Sequence, residues 1–289
     1  MNGMEWKVLL YVPEEIENEE FLCAWIHRHA QLVLGGDGIQ AVALQGWNQS
    51  EGISPDNCLL IAATDETLSV AQQLHMAALA YANPKYPNQK FQGVDMIVEG
   101  FEEVDTRFML RVFWRYHHVP WIITETPRCL IRELELADVK QLFELYEKPG
   151  ITEFVEPLFP WKEELEYEKA YIENIYRYQE FGTWLVFHKE TGQLIGRAGF
   201  EQRELEDGAG LEIGYIIAPE YQNQGYATEV CQALLQYAWE NLEYENVNCL
   251  IQKGNTASIH LAEKLGFTFQ KETEITGEPM EWYRKVLRF

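Results

Sequence analysis

The sequence predicts an α/β chain built in two successive parts, and three observations carry that expectation. At 289 residues it exceeds what one small core needs, and roughly 100–200 residues per domain is the usual scale. Short β-branched and aliphatic runs alternate with segments of helical period. Pro120 and Pro127 bracket a break after which the alternation starts again, so domains at 1–127 and 128–289 are expected.

In the first series, residues 6–12 predict a strand, 14–34 a helix, and Gly35-Gly36-Asp37-Gly38 the turn that ends it. Residues 39–44 predict another strand, and a polar loop covers 47–57. The apolar run 58–63 meets Thr64-Asp65-Glu66-Thr67, a capping sequence for a helix over 68–74. Strands over 77–81 and 94–98 follow, the second feeding a helix over 105–115, and 121–124 returns extended. Such alternation argues for a parallel, Rossmann-like sheet.

In the second series, 130–136 predicts a strand, Asp138 a cap, 138–147 a helix and 163–178 a longer one. Residues 184–187 pair with 194–200 across a loop containing Thr191-Gly192. The run 211–217 is a strand that stops at Pro219, and a glycine-containing turn then opens a long amphipathic helix at Gly225. A strand, loop and helix start in that order form an anion site, because unpaired N–H groups point out along the helix dipole. A strand over 247–252, a helix over 256–265 ended by Gly266, and strands over 267–272 and 281–287 complete the sheet.

Composition narrows the function. A hydrophobic fraction of 47% with 9 Trp, 15 Tyr and 14 Phe describes a folded globule. With 23 Lys+Arg against 46 Asp+Glu the formal charge is −23, a field that repels a nucleic-acid backbone and attracts amines or basic protein tails. Five cysteines, odd in number and without a Cys-x-x-Cys pair, suggest reduced cytosolic thiols. No window holds the roughly 18 apolar residues of a membrane helix, and the start lacks a signal-peptide pattern, so a cytoplasmic location is expected. His27 and His29 stand about 200° apart on a helix, which prevents joint chelation, and no metal site is predicted. Neither a P-loop nor a Gly-x-Ser-x-Gly elbow occurs.

The spacing Gln222-x-x-Gly225-x-Ala227 resembles the acetyl-coenzyme A pyrophosphate loop of the GNAT superfamily of N-acetyltransferases. Further on, Asn255-Thr256-Ala257-Ser258 through Lys264-Leu265-Gly266-Phe267 resembles the helix after that family's fifth strand. The likeness covers 129–289 and is nearest to the branch containing ribosomal-protein alanine acetyltransferases. It implies a mixed sheet whose fourth and fifth strands, here 211–217 and 247–252, splay around pantetheine. It also implies that backbone groups near Ile216 and Ile217 pair with pantetheine amides, and that Gln222, Asn223, Gln224, Gly225, Tyr226, Ala227 and Thr228 form the pyrophosphate cradle. Asn255 and Ser258 are expected to look into the same cleft, although Asn255 equally suits an N-cap.

Acetyl transfer to an amine needs a neutral nitrogen, a polarised thioester carbonyl and a proton for the leaving thiolate. Glu212, on one strand face with Gly214 and Ile216, is the candidate base. The family's usual tyrosine acid falls where Ala262 stands, leaving Ser258, Tyr215, Tyr226 or water. The resemblance places acceptor selectivity in 150–161, where Glu153 and Glu156 lie among aromatics and suit a cationic amine. The run Glu163-Glu164-Leu165-Glu166 reads as a solvated helix face. The expected function is an acetyl-CoA-dependent N-acetyltransferase acting on a small-molecule amine or protein N-terminus in a ternary complex. The alternative is an acyl-CoA sensor or scaffold. Residues 58–81 resemble the closing strand-helix-strand of haloacid-dehalogenase-like domains, but no Asp-x-Asp occurs in 6–15, so the first domain is expected to be catalytically silent. A phosphatase using Asp65 is the weaker rival, and regulatory, substrate-presenting or homodimer-forming roles stay open.

Overall fold

The computed structural model describes residues 8–12, 39–43, 54–101, 104, 106–179, 181–206 and 208–288. The expected helix over 14–34, the turn after it, and Cys23, His27 and His29 lie outside the described residues. The chain forms two compact units, Met1–Val119 and Pro120–Phe289.

In the first unit, β1 (Val8–Val12), β2 (Ile39–Ala43), β3 (Cys58–Ala62), β4 (Ala77–Tyr81) and β5 (Ile97–Val98) form a sheet ordered β2-β1-β3-β4-β5. All four pairings are parallel. Every residue of β3 is buried, which explains why its sequence is an unbroken apolar run: a parallel strand is covered on both faces. Helix α2 (Thr106–Tyr116) contributes Met109, Val112 and Phe113 to the core around Leu59, Ile61 and Leu79. Helix α1 (Asp65–Gln73) packs Ala71 with Cys58 and Leu60, and Leu68 with Ala62. Thr64 caps α1 by accepting from Thr67 N. The Asp65 carboxylate accepts from Lys90 N at 3.1 Å and Phe91 N at 2.8 Å, so it secures a loop as well as starting the helix.

The second unit carries an eight-stranded sheet ordered β12-β13-β11-β10-β9-β8-β7-β6. Its strands are β6 (Ile122–Glu125), β7 (Cys129–Arg132), β8 (Thr183–His188), β9 (Leu194–Leu205), β10 (Gly208–Ile217), β11 (Asn246–Gln252), β12 (Thr268–Ile275) and β13 (Glu278–Val286). Residues 121–124, expected to close the first domain, instead pair antiparallel with β7, and Thr126 N to Cys129 O (2.8 Å) closes the turn through Pro127. The division therefore falls ahead of the expected 127/128.

Around this sheet lie α3 (Val139–Tyr146), α4 (Trp161–Tyr171), α5 (Tyr226–Glu240) and α6 (Thr256–Lys264). The predicted strand 130–136 is shorter than expected, because Glu135 and Asp138 form a capping box that turns Leu136–Asp138 into a 3₁₀ turn before α3. The helix expected over 163–178 changes to π geometry at Ile172–Tyr176. Helix α5 buries Val230, Cys231, Leu234, Leu235 and Ala238 at helical spacing.

Candidate functional site

Strand β10 pairs with β9 along its length, from Gly208↔Leu205 to Ile217↔Gly196, but with β11 at one pair, Glu212↔Asn248. Beyond that pair the two parallel strands separate. Asn248 fastens the fork: it is fully buried, donates from Nδ2 to Leu211 O (3.2 Å), and accepts at Oδ1 from Trp282 Nε1 (2.9 Å) and Arg284 Nε (2.8 Å). A Cβ on Gly210 would stand 2.6 Å from Asn248 Nδ2, so glycine is required there. Ala218 N donates to Ile195 O (2.7 Å), and ladder alternation then turns the N–H and C=O of Ile216 toward β9 and those of Tyr215 and Ile217 toward the opening. Of the two residues expected to meet pantetheine through their backbone, Ile217 faces the gap and Ile216 does not.

The loop expected to hold the donor is shaped by backbone. Asn223 (φ 56°) and Gly225 (φ 84°) are left-handed, a conformation glycine adopts without a Cβ clash. No side chain caps α5, and its first internal bond is Glu229 N to Gly225 O, so the N–H groups of residues 225–228 have no partner within the helix. Gln222 Nε2 donates to Ile217 O (2.9 Å) and Gln224 Nε2 to Glu220 O (2.6 Å), bracing the loop from within. Lys148 pairs with Glu220 and holds that carboxyl below its ordinary range. The Tyr226 ring is buried and its hydroxyl lies 3.0 Å from His188 Nε2.

Arg128, which the sequence alone did not single out, locks this helix start. Its guanidinium stands 3.8 Å from the Tyr226 ring centroid, Nε meets Glu229 Oε2 at 2.7 Å, and Nη1 donates to Gln224 O at 3.1 Å. Burial pushes the Glu229 carboxyl up, but hydrogen bonds from Thr126 and Arg128 outweigh it and hold the group below its ordinary value. From Gly225 a cavity of about 720 Å³ follows α5, lined in part by Thr228, Gln232, Gln236, Lys264 and Lys285. Lys264 Nζ reaches Thr228 Oγ1 at 3.3 Å. The two lysines share this cavity with the carboxylates of Glu125 and Glu229.

On the α6 side, Asn255 Oδ1 accepts from Ser258 N (3.1 Å), so Asn255 is the N-cap. The Tyr215 hydroxyl lies 3.4 Å from Ser258 O, and burial raises its phenol well above the ordinary value, keeping it protonated. Ala262 is buried and offers no hydroxyl.

The opposite face of β10 is built from side chains. Register sets Glu212 beside Glu201, Gly214 beside Gly199 and Ile216 beside Arg197. Glu212 Oε2 receives Arg203 Nε at 2.6 Å with the carboxylate side chain 14% exposed. Burial raises the Glu212 pKa, and the Arg203 charge lowers it without cancelling that effect. Helix α4 covers the neighbouring strand. Glu168 is fully buried with Arg197 Nη2 at 3.0 Å, and Glu164 is buried with Oε2 accepting from Phe159 N at 2.8 Å. The expected solvated face at 163–166 is thus corrected: Glu164 turns inward because a backbone donor meets it there, while Leu165 stays half-exposed. Burial raises the Glu168 pKa against the pull of Arg197, and Glu164 raises it further. The π turn aims Tyr171 and Tyr176 at one residue, with Thr183 N donating to Tyr171 Oη (2.8 Å) and Tyr176 Oη donating to Thr183 O (2.6 Å). Phe159, Trp161 and Tyr167 remain exposed, as do Glu153 and Glu156.

Among the described residues no three His, Cys, Asp or Glu side chains group as metal ligands, and no helix is long and apolar enough to cross a membrane. Residues 128–268 match the family model described as an acetyltransferase (GNAT) domain. The chain is 32% identical over 102 residues to uncharacterized protein YkkB of Bacillus subtilis (strain 168), covering 35% of this chain and 59% of that protein's length. It is 28% identical over 149 residues to uncharacterized N-acetyltransferase p20 of Bacillus licheniformis, covering 51% and 82% respectively. The solved structure of RimL, a ribosomal L7/L12 alpha-N-protein acetyltransferase, superposes with a TM-score of 0.51 at 17% identity over 59% of this chain and 97% of RimL, a likeness of fold alone.

Proposed function

Because residues 128–268 are a GNAT acetyltransferase domain, we propose that the chain transfers acetyl from acetyl-CoA to a primary amine in a ternary complex, with no metal. The supporting observation is the fork at Glu212 and Asn248, with an uncapped helix start on one side and a carboxylate held by Arg203 on the other. The N–H groups of residues 225–228 suit the pyrophosphate, with the Arg128 guanidinium beside them. Lys264 and Lys285 suit the ribose phosphate of CoA in the cavity along α5. The backbone edge of Tyr215 and the N–H of Ile217 suit the pantetheine amides, with Asn255 and Ser258 across the opening, while the Ile217 carbonyl already accepts from Gln222.

Glu212 would take a proton from the acceptor ammonium, directly or through water. The freed nitrogen lone pair attacks the thioester carbon and a C–N bond forms; as the C–S bond breaks the nitrogen gives its second proton to water and the thiolate takes up a proton. Tyr215, kept protonated on the opposite face of β10, is the proposed donor, with Ser258 or water as substitutes. Glu201 and Glu212 on the strands, with exposed Tyr167, Phe159 and Trp161, favour a cationic acceptor, either a small amine or a protein N-terminus. The first unit takes no part in this chemistry.

A screen of acetyl-CoA consumption against amines, polyamines, aminoglycosides and N-terminal peptides tests the proposal. Amine-dependent release of CoA thiol is expected, and none with any acceptor contradicts it. The second reading, an acyl-CoA sensor or scaffold, draws on Ala262 standing where an acid is usual. CoA binding without turnover on any amine is its signature.

A further inference from the structure

Five glycines lie in β9 and β10, and four have a reason inside the protein. A Cβ on Gly196 would meet Ile216 O at 2.5 Å, on Gly199 Gly182 O at 2.0 Å, and on Gly210 Asn248 Nδ2 at 2.6 Å. Gly208 has φ 114°. Gly214 differs: its φ is not left-handed, it is exposed, and a Cβ there meets nothing within 4 Å. Glycine in a strand interior weakens the strand and often marks a bulge, a bend or close approach of a backbone or ligand; the register through Gly214 is regular and no backbone stands over it, which leaves a ligand.

We propose that the open face over Gly214 seats the acceptor amine, and that the missing side chain sets the width of acceptor admitted. This rests on the transferase function proposed above. Gly214 shares its face with Glu212, two residues away or about 6.6 Å along the strand, so a nitrogen seated there lies within reach of the proposed base. The same face carries Ile216, with Arg197 and Glu201 across the ladder, and Tyr167 of α4 lies within electrostatic range of both charged groups. The edges assigned to pantetheine, those of Tyr215 and Ile217, lie in the plane of the sheet. The volume over Gly214 is perpendicular to that plane, on the face that carries Glu212.

The test is Gly214→Val beside Gly214→Ala, with kcat/KM for an amine found active with the unaltered protein, KM for acetyl-CoA, calorimetric affinity for CoA, and the midpoint of thermal unfolding. For the valine variant, kcat/KM for the amine is expected to fall about 10²-fold, the alanine variant lying between, since small misplacements of a reacting group cost that much. CoA affinity and the unfolding midpoint should not fall. Amine kcat/KM within about threefold of the unaltered value overturns the seat, as does an equal loss of CoA affinity, which places the donor there instead. A valine variant that fails to fold also overturns it, because the open space was not open. Unaltered protein that binds no CoA and acetylates no amine contradicts the transferase function itself, whereas turnover indifferent to Gly214→Val contradicts only the seat.

Discussion

The two halves of the cleft are made of different material. The half proposed to hold the donor is backbone: two left-handed residues, an uncapped helix start and strand edges left open by the fork, with Arg128 and two glutamine side chains holding the loop in shape. The half proposed to hold the acceptor is side chain: Glu212 with Arg203, Glu168 with Arg197, and two tyrosines on Thr183. Backbone donors suit a cosubstrate that is always the same. Side chains on one strand face and one helix can change the acceptor without disturbing the donor site. Substitutions on one half should therefore leave the function of the other intact.

The largest separation is expected from Glu212→Gln, which should lower turnover about 10²–10⁴-fold while calorimetric CoA affinity holds. The pH profile sharpens it. Burial raises the Glu212 pKa, and only the carboxylate can accept a proton, so kcat/KM should be full above that raised pKa and fall as pH drops through it, above the ordinary glutamate value of about 4.3. Arg203→Met should move this acid limb to still higher pH, and Glu212→Gln should abolish it.

Next in size is Glu168→Ala, which leaves Arg197 buried without its carboxylate and should cost about 3–5 kcal/mol in denaturant unfolding. Replacing both partners with Met should recover most of that loss. If it does, the pair is an ionic piece of the α4 packing.

How far each half was legible in the sequence follows the same division. Gln222, Gly225 and Ala227 lie within one turn, so a local pattern was enough to single out the proposed donor loop. Arg128 meets Glu229 across 101 residues of sequence, and no local pattern announces that pairing. Glu164 looked solvated because polarity predicts exposure, whereas a backbone donor at Phe159 made an inward position available, and Glu168, which no pattern singled out, turns inward to the Arg197 guanidinium. The strand 121–124 was visible but not its partner. Pro127 between two extended runs was the available hairpin signal, and alternation in the first series favoured the wrong sheet. The π turn gave only one sequence clue, Tyr171 and Tyr176 five apart.

On the donor half, Gly225→Val forces a β-branched residue to φ 84°, a strain of about 1–3 kcal/mol. CoA affinity should fall about tenfold or more by titration, while the unfolding midpoint shows whether the strain is local. The smallest effect is expected from Lys264→Ala: CoA should bind a few times more weakly, and CoA lacking the ribose phosphate should bind both proteins equally.

The most direct measurement is a calorimetric titration of CoA into the unaltered protein, Glu212→Gln and Gly225→Val, with amine-dependent thiol release measured on the same samples. Tight, equal binding to the first two, weak binding to the third, and turnover in the unaltered protein alone are expected. A Glu212→Gln variant that turns over normally, or a Gly225→Val variant that binds CoA as the unaltered protein does, would contradict the separation of a backbone-built donor site from a side-chain-built acceptor site.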